Sequence, residues 1–151
     1  MAVQRMKEFA DFKTYFNSVT GKYRTNHDHL LGTAELSKKR SKLPELDNIA
    51  YLAALLHDVG KYSEQRKKYF LNSVKGGRSG EKPDHATAGG QAAKELLGNS
   101  AASVMIHTAI YSHHGLCDCH SSDDTFLLES RRNKAEGLPV AECEGNFYKR
   151  I

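Results

Sequence analysis

The sequence predicts an all-α fold, and three observations carry that expectation. Apolar residues recur at helical spacing along most of the chain. Alternating, strand-like stretches are scarce. Ser63 and Gly60 stand where a helix is expected to start and to stop.

The first element is a helix over residues 3–18, with Met6, Phe9, Phe12, Phe16 and the following Val19 at near-helical spacing. Residues 28–40 form the second, with Leu30, Leu31, Ala34 and Leu36 apolar. Residues 46–58 show the strongest pattern: Ile49, Leu52, Ala53 and Leu56 fall at i, i+3, i+4 and i+7, and Gly60 is placed to end the helix. Residues 63–73 follow, N-capped by Ser63. The stretch "SVKGGRSGEKPDH" is rich in Gly, Ser, Lys and Pro and reads as a surface loop. Helical character resumes over 85–97; Gly89 and Gly90 there either permit close helix packing or mark an irregular turn. Residues 101–113 make a further helix with Val104, Ile106, Ala109 and Ile110 in the core. "GLCDCHSSDD" is a loop, and the tail from Thr125 is helical at first, then irregular. No internal repeat or domain boundary is evident.

The bulk properties bound the function. A chain of 151 residues suits one domain. Hydrophobic residues make up 39% and charged residues 26%, an ordinary soluble composition. No apolar run approaches the roughly 20 residues of a membrane helix. "MAVQRMKEFADF" lacks the apolar centre of a secretion signal. A cytoplasmic protein without a membrane partner is expected. The net charge of +4 is compatible with a polyanionic partner but does not demand one. The clusters Lys38-Lys39-Arg40, Arg66-Lys67-Lys68 and Arg131-Arg132 read as solvated helix faces. Cys117, Cys119 and Cys143 make no disulfide framework, which fits a reducing compartment.

The eight histidines are the informative residues. His57 and Asp58 close the apolar run "AYLAALLHDVGK"; His29 lies in "NHDHLLGTA", His85 in "PDHATAGG", and His113-His114 in "YSHHG". Neutral imidazole and carboxylate are ligand types for Mn, Fe, Ni, Co or Zn. Adjacent side chains diverge on a helix, so His57-Asp58 suits a helix end reaching into a shared pocket. There the carboxylate could bridge two ions. Two ions about 3.5–4 Å apart would clamp a phosphate and activate a water.

"HDVGK" with an upstream His29 resembles the HD superfamily of metal-dependent phosphohydrolases. "HLLGTAEL", "AALLHDVGKYSEQRKKYF", "DHATAGG" and "IYSHHGL" resemble, in order, the motifs of the HD nuclease of CRISPR type I systems, which accompanies or is fused to the effector helicase. The resemblance runs from about residue 29 to 116. It implies a helical bundle around a one- or two-metal centre, holding Mn, Mg, Ni, Co or Fe. By matching motif, His29, His57 and Asp58 would serve the first metal, with Asp58 bridging; His85, His113 and His114 would serve the second. Asp58 and Lys61 would be catalytic. Lys61 would contact the scissile phosphate, or be a helix C-terminal cation favoured by the dipole. Thr87 would contact phosphate or cap its helix, the cap being favoured. The register selects His29 over His27. His107 is expected to be structural or superficial. His120 with Cys117 and Cys119 makes no common zinc spacing, and a loop with reduced thiols is favoured.

The family closes its first metal site with a later aspartate. Asp118, Asp123 and Asp124 lie too close to His114 to match it. The chain would then be a fragment of a longer nuclease-helicase, a truncated product, or a member with an altered first site. Residues 1–151 are expected to be a single HD nuclease domain lacking its C-terminal part, with an apolar patch left exposed. The implied activity is metal-dependent hydrolysis of DNA, preferentially single-stranded, in CRISPR interference and antiviral defence. The implied partners are single-stranded DNA, the effector helicase and the surveillance complex. Lys75, Arg78 and Lys82 would form one wall of a strand-guiding channel, with no aromatic platform for bases. Hydrolysis of nucleotides or other small phosphate esters is the alternative, followed by a non-catalytic docking module.

Overall fold

The structure is a computed structural model that describes residues 12–77, 80–115, 128–134 and 138–149. It opens not on a helix but on a hairpin: β1 (Lys13–Asn17) pairs antiparallel with β2 (Lys22–Thr25). The helix expected over 3–18 is thus corrected at residues 13–17, while residues 3–11 lie outside the described residues. Local turn chemistry prevails over the phenylalanine spacing. Asn17 Oδ1 accepts from the N–H groups of Val19 and Thr20, both at 3.0 Å, and the Gly21 N–H donates to Asn17 O at 2.8 Å. "KTYFN" and "KYRT" then supply aromatic residues that suit a pleated ribbon. Phe12 is still core, its ring edge-on to Tyr62 at 5.4 Å.

Several of the helices begin at polar caps. Thr25 accepts the Asp28 N–H and opens α1 (Asn26–Arg40); the exposed Lys38, Lys39 and Arg40 sit in its last turn, where cations are favoured. A 3₁₀ turn at Pro44–Leu46 leads into α2 (Asp47–Leu56), and a second 3₁₀ turn spans Val59–Lys61. Ser63 accepts the Arg66 N–H at 3.2 Å and starts α3 (Glu64–Val74), as expected. Asp84 opens α4 (His85–Leu97) by accepting the Thr87 N–H at 3.0 Å. Thr87 is therefore the capped residue and not the cap. Ser100 opens α5 (Ala101–Tyr111), followed by α6 (Leu128–Asn133) and α7 (Val140–Tyr148). The tail expected to be irregular thus carries a helix whose Cys143 and Phe147 are core. The "CDCH" segment and Arg78 lie outside the described residues.

The core joins Leu30 and Ala34 of α1, Leu55 and Leu56 of α2, Ala92 and Ala93 of α4, and Ile106 and Ile110 of α5. Ala109, expected inside, faces solvent, as does Leu36 of α1, and His107 is fully buried. Among the described residues no helix is long and apolar enough to cross a membrane.

Two glycines decide how closely these elements approach. Gly60 does not end α2, which stops at Leu56. A Cβ at Gly60 would lie 2.0 Å from His85 O, so the glycine lets the 3₁₀ turn touch the start of α4. A Cβ at Gly90 would lie 2.2 Å from the ring of Tyr111, which is itself fully buried. Helix α4 runs unbroken through Gly89-Gly90, so the pair serves close packing.

Gly90→Ala tests this. Helix propensity alone would stabilise the variant by about 1 kcal/mol. Overpacking against Tyr111 reverses the sign, and urea unfolding should show a net loss of about 1–3 kcal/mol.

Candidate metal centre

Helix α2 ends at Leu56, and the two residues after it diverge. His57 keeps helical dihedrals (φ −55°, ψ −34°), whereas Asp58 turns away (φ −112°, ψ 18°) into the 3₁₀ turn. His57 and Asp58 thereby reach the same pocket. His29 arrives from the first turns of α1, His85 is the first residue of α4, and His113-His114 follow Ser112, the C-cap of α5.

The Asp58 carboxylate stands at the centre, with its side chain only 3% exposed. Its Oδ2 lies 2.5 Å from Lys61 Nζ, 3.2 Å from His29 Nε2 and 3.3 Å from His57 Nε2. Its Oδ1 lies 3.5 Å from His85 Nε2 and 3.6 Å from His113 Nε2. Two groups able to hold a metal result: His29, His57 and Asp58, and His85, His113 and His114, with ligand atoms within 4.8 Å of one another in each. The structure thus brings together all six residues expected at the metals, and Lys61 beside them. His27 points elsewhere, 3.5 Å from Asp28.

Local hydrogen bonds orient the rings. His57 Nδ1 is 2.6 Å from Ala54 O, and His113 Nδ1 is 2.6 Å from Ile110 O. A carbonyl only accepts, so each Nδ1 carries a proton and each ring is fixed with Nε2 facing the pocket. Burial works to raise the Asp58 pKa. The imidazoles of His113, His29 and His57 and the charge of Lys61 outweigh burial and hold it far below the carboxylate range. Burial pushes His85 down to about 3, against the attraction of Asp58. Burial, with His113 and Lys82, also lowers His114. Neutral imidazoles and an ionised carboxylate are the states that metal ligands require.

The residues present fit a divalent cation. Asp58 Oδ1 and His113 Nε2 are buried with no hydrogen-bond partner among the described residues. His29 Nε2 and His57 Nε2 lie 3.1 Å apart, and His85 Nε2 and His114 Nε2 lie 2.8 Å apart. Nitrogens roughly 3 Å apart suit two ligands of one ion with bonds of about 2.1 Å.

Two residues here escaped the sequence reading. Asn26, buried at the start of α1, donates from Nδ2 to Asp58 O at 3.0 Å and so fixes the backbone of the central residue. Arg66, read as part of a solvated cluster, is half-buried and within electrostatic reach of Asp58. "TNHDH" contains Asn26 in plain view, but only the fold reveals a partner 32 residues away.

Cavities flank the cluster. One of about 330 Å³ is lined by Tyr15, Arg24, His29 and Lys61. Another, of about 310 Å³, includes Gly60, Gln65, Lys82, Asp84, His85 and Lys134. Of the basic loop residues expected to wall a channel, Lys82 lines this cavity; Lys75 lines neither.

A family model described as HD domain matches residues 26–139, more than half of the chain. The chain belongs to the HD domain family. No curated protein and no solved structure matches it. HD domains bind divalent metals and act as metal-dependent phosphohydrolases, and the two groups around Asp58 supply ligands of that kind.

Asn26→Ala strips the buried Asp58 carbonyl of its partner and should lower stability by about 1–3 kcal/mol in chemical unfolding. The pH dependence of the metal-free protein follows from His85. Its folded pKa of about 3 lies below its unfolded value of about 6.5. The unfolded state therefore binds more protons between those values, and stability should decline as pH falls from about 6.5 towards 3. Asp58, also depressed, adds loss in the same direction below about pH 4. Thermal melting across this range, with a shallower slope in His85→Asn, checks the sign.

Proposed function

We propose that this HD domain is a cytoplasmic, metal-dependent nuclease that hydrolyses phosphodiesters of single-stranded DNA. In this reading it acts beside an effector helicase and a surveillance complex in CRISPR type I interference and antiviral defence. The observation that carries the hydrolytic part is the shared carboxylate: Oδ2 of Asp58 faces His29 and His57, and Oδ1 faces His85 and His113. The CRISPR part is supported by the four motifs, "HLLGTAEL", "LLHDVGK", "DHATAGG" and "YSHHG", in that order. The cytoplasmic part is supported by the cysteine usage.

His29, His57 and Asp58 would hold one divalent ion, and His85, His113 and His114 a second that also meets Asp58. Such ions supply Lewis-acid activation of the phosphate and of water. The chain's residues do the rest. The Nδ1–H bonds of His57 and His113 fix their rings with Nε2 aimed inward. Asn26 holds the Asp58 backbone. Lys61 neutralises Asp58 Oδ2 and stands at the rim of the cavity beside His29, where it can bind a phosphate oxygen. Arg66 and Lys82 add positive charge on the His85 side, which favours an anionic substrate.

Circular single-stranded DNA with Mn²⁺ is the direct assay. The wild type should nick it, chelator should abolish nicking, and Asp58→Ala should reduce the rate by at least about 100-fold. Metal analysis of His57→Ala should show less bound ion. Unchanged stoichiometry would remove His57 from the ligand set. Hydrolysis of nucleotides without cleavage of the circle would favour the small-ester reading.

A further inference from the structure

We propose that the cross-strand pair Tyr15–Arg24 is the subsite that grips single-stranded nucleic acid next to the metal centre. Arg24 would take the phosphate beside the reacting one, and Tyr15 would stack its base. This inference rests on the phosphohydrolase reading for what happens next to the subsite, but not for the grip itself.

Four observations place the pair there. Tyr15 and Arg24 are register partners in the hairpin, so their side chains leave the same face. Phe16 and Tyr23, the neighbouring pair, leave the other face, where Tyr23 meets Phe70 of α3. Tyr15 and Arg24 share one cavity with His29 and Lys61, so the pair opens directly onto the metal centre. The Arg24 guanidinium is also steered. Its Nη2 donates to Asp28 O at 3.3 Å, and a Cβ at Gly32 would come within 3.1 Å of it. Asp28 and Gly32 lie on α1 with His29, and the guanidinium shares a cavity with that histidine.

The chemistry of the pair selects the ligand. Among the described residues Arg24 engages one hydrogen-bond acceptor, which leaves most of a planar fork free for a phosphate. Tyr15, lining that cavity, is 57% exposed. A cation and an exposed ring side by side match a phosphate and its base, and stacking does not depend on which base it is. A duplex buries its bases in the stack, so a single strand fits. Lys22 lies two residues beyond Arg24 on the same face, roughly 7 Å further out, and continues the positive line. A platform at Tyr15 departs from the expectation that no aromatic platform is present; that expectation places Tyr15 in a helix over 3–18.

The test is fluorescence anisotropy of a labelled oligothymidylate of about eight nucleotides, in EDTA, with thermal melting to show that each variant is folded. Arg24→Ala should weaken binding about tenfold and flatten the slope of log K against log salt by about 0.7. Tyr15→Ala should weaken binding about tenfold, whereas Tyr15→Phe should stay within about twofold of wild type. Wild-type binding carried over intact into both alanine variants would overturn the subsite. So would a thymidine monophosphate that binds as tightly as the oligomer. Mn²⁺-dependent hydrolysis of bis(p-nitrophenyl) phosphate by the wild type separates the two readings. Hydrolysis without Tyr15- and Arg24-dependent binding sinks only the subsite. Binding lost in both variants, with no hydrolysis by the wild type, sinks only the phosphohydrolase reading.

Discussion

The Asp58 carboxylate is ionised and almost wholly withdrawn from water, and the surrounding helices are organised around that charge. Burying such a group unpaired costs several kcal/mol. Here α1 sends His29, the end of α2 sends His57, the 3₁₀ turn sends Lys61, α4 sends His85, and the end of α5 sends His113. Each element thereby has a polar obligation at one end and an apolar face along its length. The two carboxylate oxygens are not equivalent. Oδ2 has a resident cation in Lys61, while Oδ1 faces imidazoles alone and has no hydrogen-bond partner among the described residues.

The approach of α4 is what closes the arrangement, and it depends on absent side chains. Gly60 lets His85 O come within the space of a methyl group, and Gly89 packs against Gly60 N and His57 O. Any larger residue at Gly60 would drive His85 away from Asp58. The motifs "HDVGK" and "DHATAGG" are therefore two halves of one contact, with the glycines of each making room for the backbone of the other. Cys143 of α7 lies behind this contact, 3.6 Å from Gly60 O, with its thiol pushed up to about 12 by burial. It acts there as a small apolar filler.

Much of this was legible in the sequence because the signals were local or chemical. Helices over 63–73 and 85–97 announced themselves through a cap or through periodicity. The ligand candidates stood out as imidazoles and a carboxylate at element ends. What stayed hidden depends on partners far along the chain. Asn26 looks like any polar residue at a helix start until Asp58 O is placed against it. Arg66 looks solvated until α3 turns it inward. Gly60 resembles a helix stop because its steric role needs His85, 25 residues later, to be visible. The hairpin was lost for the opposite reason: Phe12 and Phe16 mimic helical spacing, while the turn that overrules them rests on Asn17 and on Gly21 at φ 65°.

That hairpin also divides the labour of the molecule. The HD domain match begins at residue 26, so β1 and β2 precede it, while every residue of the two metal-holding groups falls inside it. The chemistry available at Asp58 is thus general to the family stretch. The cavity on the His29 side, by contrast, is lined partly by residues outside that stretch, Tyr15 and Arg24. The same hydrolytic centre can then serve different phosphate esters according to what is placed against its rim, since function is carried by the site and not by the fold. In this chain the rim places a ring and a guanidinium in one cavity with His29 and Lys61, and the proposed subsite would use both to tell a nucleic-acid strand from a bare phosphate.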